Sequence, residues 1–83
     1  MPRAIDTITD ELRIIADVLQ SARETAGLSQ ASAAEKLTVS RATVIGWENA
    51  NRCPSLSMFL RIAKGYGVSP ATLLRRISEK IPD

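Results

Sequence analysis

Apolar side chains in this chain recur every three or four positions, and no stretch alternates apolar and polar residues over six positions. That pattern predicts helices and argues against strands. Leu12, Ile15, Leu19, Ala22 and Ala26 follow helical spacing, and Gly27 supplies a stop, so a first helix is expected over 10–26, capped by Thr9 or Thr7. Ser29 caps a second helix over 30–37. After the tight connection Thr38-Val39, Ser40 caps a third over 41–49. Asn51-Arg52-Cys53-Pro54 is a loop, because the residue before proline avoids helix. Ser55 opens a fourth helix with Leu56, Phe59, Leu60, Ala63 and Tyr66 on its apolar face and a stop at Gly67. Ser69-Pro70 sets a capping serine before a proline at the first helical position. It starts a fifth helix that runs to about Ser78 and buries Leu73, Leu74 and Ile77. Five short helices with short connections form a compact all-α cluster. We expect one domain over 10–78, an N-terminal extension over 1–9 and a C-terminal tail over 79–83.

Composition narrows the function. The chain has 83 residues, which suits a single domain with a modest core, so association with a second copy is expected to help stability. It holds no apolar run of membrane-spanning length, and its first six residues lack the apolar core of a signal peptide, so a cytoplasmic location is the default expectation. There is one cysteine, Cys53, and no histidine. The commonest general base is missing, and neither a metal site nor a cofactor is expected, which argues against an enzyme. Charge is unevenly spread. Residues 1–24 carry three arginines and five acids, whereas residues 25–83 carry eight basic side chains and four acids. A polyanionic partner would meet the later part of the chain.

The segment from Gln30 to Asn49 carries the functional signal. Two short helices flank a brief turn, the arrangement by which a DNA-binding helix-turn-helix holds its second helix across the first and projects it outward. Ala34 is small where the helices would cross, and Val39, Val44 and Trp47 anchor the third helix. Advancing about 100° per residue from the inward Val44 and Trp47 brings Ala42, Gly46 and Asn49 to the outward face, with Ile45 and Arg41 on its flanks. That face has no acid. Small side chains allow close approach to a major groove, and Arg41 can donate two hydrogen bonds to guanine.

The stretches Gly27-Leu28-Ser29-Gln30, Ala34-Glu35-Lys36-Leu37, Val39-Ser40-Arg41, Trp47-Glu48-Asn49, Pro54-Ser55-Leu56 and Ile62-Ala63 through Gly67-Val68-Ser69 resemble, in order and spacing, the Cro/cI (Xre-type) phage-repressor DNA-binding family. The resemblance covers about residues 12–77 and implies a lambda-repressor-like domain. It implies that Gln30 bonds a phosphate and braces Arg41, and that Ser40, Arg41, Ala42 and Thr43 open the recognition helix in the groove. It places Gly46 where relatives carry another base-reading side chain. Asn49 and Arg52 would hold the DNA backbone, and Arg23 with Glu48 would form a buried ion pair. Thr38, Ala33 and Ala50 stand where the family prefers glycine, leucine and glycine. A β-branched residue at positive φ is costly, so the turn at Thr38 is expected to adopt another geometry.

The expected function is sequence-specific DNA binding in transcriptional regulation, as a repressor on a two-fold operator. The expected partners are double-stranded DNA, through the major groove, and a second copy of the chain. Two other readings are an antitoxin that also binds a toxin protein, and a protein-interaction module without DNA binding. Trp47 is expected in the core and Cys53 in a half-buried loop. Ile5, Ile8, Ile14 and Val18 form a second apolar set, either packed on helix five or free for self-association, and helix five with Leu74 and Ile77 is the other candidate dimer surface. With few residues beyond helix five, no attached sensing or cleavage domain is expected in this stretch.

Overall fold

Serine side chains set where the helices begin. In the computed structural model, which describes residues 8–82 and side chains from Asp10 onward, Ser29, Ser40, Ser55 and Ser69 each accept a hydrogen bond from the backbone N–H three residues ahead. Each such cap satisfies a donor that the helix itself leaves unpaired, worth about 1 kcal/mol. The elements are α1 Ile8–Thr25, α2 Gln30–Leu37, α3 Arg41–Glu48, α4 Leu56–Gly65 and α5 Pro70–Lys80. Helix α1 therefore starts two residues before the expected Asp10. Thr9 lies inside it, and the alternative cap Thr7 falls outside the described residues. Helix α3 stops one residue early, with Asn49 as its cap, and α5 runs two residues past Ser78.

Helix ends follow a second shared device. The residues after α1, α2 and α3 and near the end of α4 turn through positive φ at Gly27, Thr38, Ala50 and Gly67. Each turn returns a backbone N–H to the helix it leaves: Leu28 to the Arg23 carbonyl, Val39 to Ala34, Asn51 to Gly46 and Val68 to Ala63. This is the left-handed helix termination that glycine adopts without steric cost. The expectation of a different geometry at Thr38 is overturned, because its φ of 60° and ψ of 45° are left-handed. The strain persists because Val39, the next residue, is drawn against the core.

The core collects one stripe from every helix. Ala16, Val18, Leu19 and Ala22 of α1 meet Ala33, Ala34 and Leu37 of α2, Val44 and Trp47 of α3, Phe59, Ile62 and Ala63 of α4 with Tyr66, and Leu73 and Ile77 of α5. Helix α1 packs on α3 and α5, α2 on α3 and α4, and α4 on α5. Trp47 is buried, and the alanine at position 33 is fully enclosed. Several apolar positions were expected inside and are not. Ala26 is exposed, and Leu56, Leu60 and Leu74 are 75%, 49% and 57% exposed. Helical spacing places them on apolar stripes, but neighbouring helices cover only one edge of each stripe. Cys53 is exposed rather than half-buried. Of the second apolar set, Val18 is buried in the core and Ile14 is half-buried against it, which spends both internally. The side chains of Ile5 and Ile8 lie outside the described residues. Among those described, no helix is long and apolar enough to cross a membrane.

Candidate nucleic-acid interface

The α2–turn–α3 unit presents α3 on the surface. Val44, Trp47 and Glu48 face inward, while Arg41, Ala42 and Asn49 are exposed and Thr43 and Ile45 are half-buried. The N-cap Ser40 is exposed, and its hydroxyl also pairs with the Thr43 hydroxyl at 2.8 Å. No acidic residue lies in the first turn of α2 or of α3. One first-turn N–H of each helix is capped by Ser29 or Ser40, and neither helix carries an acid of its own beside the remaining N–H groups and positive dipole end, a setting that suits an anion. Arg41 occupies the first position of α3 and Gln30 the first position of α2.

A buried ion pair fixes α3 from behind. Arg23 on α1 donates through Nε to Glu48 Oε2 at 2.6 Å and through Nη2 to Oε1 at 3.0 Å. Its Nη1 donates to the Leu28 carbonyl at 2.7 Å, so one guanidinium ties α1 to the α1–α2 turn and to the end of α3. The Arg23 and Glu48 side chains are 9% and 3% exposed. The hydrogen bonds to Glu48 push the Arg23 guanidinium above its ordinary range, against the opposing effect of burial. A planar fork matched to a carboxylate is what makes such a pair tolerable inside a fold.

Two predicted site residues are placed differently from expectation. Gln30 does not brace Arg41. Its amide Nε2 donates to Glu48 Oε1 at 3.1 Å, which joins α2 to the same buried carboxylate. Gly46 is not an open patch on the outward face. It is buried beneath the Arg52 side chain, and a Cβ built on it would stand 3.0 Å from Arg52 Cδ and 3.1 Å from Cγ. Arg52, from the loop after α3, runs back along the helix to donate to the Thr43 hydroxyl at 3.4 Å. Exposed Arg41, Ala42 and Asn49 therefore share a surface with Arg52, whereas Arg23, Gln30 and Glu48 form the support behind it.

Sequence reasoning missed one contributor. Arg13 on α1 donates through Nη2 to the Asn49 carbonyl at 3.2 Å and lies 3.6 Å from Asp17 one turn on. It supplies a cation to the C-terminal end of α3, where carbonyls lack helical partners. The sequence signals only the Arg13–Asp17 spacing; the reach to α3 depends on the packing of α1.

A family model described as helix-turn-helix (HTH_3) matches residues 10–73. No curated protein matches the chain. Among solved structures, the chain is similar to a point mutant of the restriction-modification controller protein C.Esp1396I, at 25% identity and TM-score 0.80 over 87% of this chain and 96% of that one. It is similar to the clp gene regulator ClgR from C. glutamicum, at 19% identity and TM-score 0.81 over 96% and 100%. It is also similar to the C.Esp1396I tetramer in complex with its natural 35 base-pair operator, at 22% identity and TM-score 0.78 over 92% and 97%.

Proposed function

The chain belongs to the HTH_3 helix-turn-helix family, the Xre/cI type, and from that footing we propose that it is a sequence-specific DNA-binding transcriptional regulator, a repressor acting on a two-fold operator. The observation that carries this reading is the outward surface of α3. It is free of acids, carries the small Ala42 at its first turn, is bordered by Arg41 and Arg52, and is fixed from behind by the Arg23–Glu48 pair. Sparse side chains allow the helix axis to approach base edges, and two guanidiniums beside a helix N-terminus suit a polyanion.

The roles divide by chemistry. Arg41 reads guanine, with Ala42, Thr43 and Ile45 against neighbouring base edges. Ser40 and Gln30 sit at helix starts where backbone N–H groups meet a phosphate, and Asn49 approaches the next one along. Gln30 is held for this by Glu48, which leaves its second amide N–H free to donate. The controller protein C.Esp1396I is seen as a tetramer on its operator, and we infer that this chain also pairs. Its surface for a second copy is the α4–α5 groove of about 290 Å³, where Leu56 and Leu74 stand exposed beside Ile15, Phe59 and Ile77. The rival surface on α1 is weaker, since Val18 and Ile14 are already committed to the core.

Selection of bound duplexes from a random pool tests the reading. A recovered motif should occur twice, related by a two-fold axis, with half-site centres about 10 base pairs or a multiple apart. Arg41→Ala should then weaken the selected duplex more than random DNA. A pool that never enriches ends the proposal, and an equal loss on both duplexes reassigns Arg41 to a phosphate.

A further inference from the structure

We infer that Arg52 is a second base-reading residue, aimed at a guanine edge, and that Gly46 is the residue that makes room for it. The inference rests on the DNA-binding reading above and departs from it at one point. An arginine in the loop after a recognition helix would by default reach outward to a phosphate. Here it turns the other way. Its stem lies on the backbone of α3 at Gly46, and its guanidinium rests one turn nearer the helix N-terminus, at Thr43.

Three observations fix that placement. The loop returns to the helix, because the backbone N–H groups of Asn51 and Arg52 both donate to the Gly46 carbonyl, at 2.9 and 3.1 Å. Position 46 carries no side chain, so the Arg52 stem lies against the helix there, 3.0–3.1 Å from where a Cβ would stand. The Thr43 hydroxyl, itself paired with Ser40 at 2.8 Å, accepts from Nη1 at 3.4 Å and holds the guanidinium beside the first turn of α3. That one long contact uses a single N–H of the five that guanidinium carries. The others remain free in a planar fork, the geometry that matches guanine O6 and N7. The outward face of α3 has no long side chain at 42 or 46 and borrows one from position 52.

Base reading and phosphate contact separate in three variants, each assayed by duplex selection and by salt titration of binding. Arg52→Ala should erase the preference for guanine at one position of each half-site, a loss of roughly tenfold to a hundredfold in discrimination, and leave the other positions intact. Arg52→Lys should fail to restore it, because an ammonium keeps the charge and loses the fork. Gly46→Ala should weaken the same preference in part with charge unchanged, since its Cβ would press on the Arg52 stem and make it give, and the salt slope should stay that of the wild type. Uniform weakening on every duplex in Arg52→Ala, with the salt slope reduced by about one and rescue by lysine, would make Arg52 a phosphate contact and overturn the inference. A Gly46→Ala protein with an unaltered motif would overturn the role of Gly46. Wild-type protein that retains no duplex at all would remove the DNA reading and this inference with it.

Discussion

Replacing Thr38 with glycine should stabilise the fold. Thr38 is exposed and sits at φ 60°, ψ 45°, where a non-glycine residue costs about 1–2 kcal/mol and a β-branched one falls toward the upper end. Its backbone bonds, Thr38 N–H to the Glu35 carbonyl and Val39 N–H to Ala34, are main-chain and survive the change. Glycine gives back roughly 0.5–1 kcal/mol through its freer unfolded chain. The difference favours Thr38→Gly by about 1 kcal/mol, or a rise in Tm of roughly 4–8 °C for a domain of this size. The chain contains its own control, because the equivalent turns at Gly27 and Gly67 already use glycine. Ala50, at φ 60° after α3, lacks the β branch, so Ala50→Gly should gain only about 0.5 kcal/mol. Urea unfolding followed by circular dichroism measures both, with a higher midpoint and an unchanged slope. The positions lie at opposite ends of α3, about 12 Å apart along its axis, so the double variant should show additive gains. A fall in midpoint for Thr38→Gly would refute the claim that backbone strain dominates at this turn.

Other expectations concern the buried polar groups. Arg23→Met leaves Glu48 buried without its partner and should cost about 3–5 kcal/mol, whereas Arg23→Met with Glu48→Leu should recover much of that loss; calorimetry that shows two independent, additive losses would dismiss the pair as a unit. Burial, with a smaller push from the Glu48 charge, raises the Tyr66 hydroxyl from 10 to about 12. Its contribution to stability is therefore complete below pH 10. Between pH 10 and 12 the unfolded chain gives up this proton while the folded one keeps it, so stability falls across that interval. Tyr66→Phe should flatten that part of the stability-versus-pH curve, and matching alkaline slopes in the two proteins would count against the assignment. Ser40→Ala removes the α3 cap and should cost about 1 kcal/mol in thermal melts, besides weakening DNA binding.

What could be read from the sequence was local. Each serine cap acts on a backbone group three residues away, so Ser29, Ser40, Ser55 and Ser69 announce their helices without tertiary information. The all-helical pattern and the helix-turn-helix segment were legible for the same reason. Features that depend on packing were not. The turn at Thr38 follows left-handed geometry against its residue preference because Val39 must reach the core. Leu56, Leu60 and Leu74 have the right spacing for burial, yet no neighbouring helix covers them. Ile62, fully enclosed, lies outside the apolar face expected for α4. At the candidate interface, the outward direction of Ala42 could be computed from Val44 and Trp47 alone. The covering of Gly46 by a loop arginine six positions on, and the grip of Glu48 on Gln30, require the folded arrangement of α1, α2 and the post-α3 loop.

The direct measurement is amide chemical-shift mapping of the isotopically labelled protein titrated with its selected duplex. The largest shifts should fall on Ser40 to Gly46, on Gln30 and on Arg52, and they should fade as salt displaces the protein from DNA. Shifts that gather instead on the α4–α5 groove, with the α3 amides unmoved at saturating duplex, would contradict a groove-reading third helix.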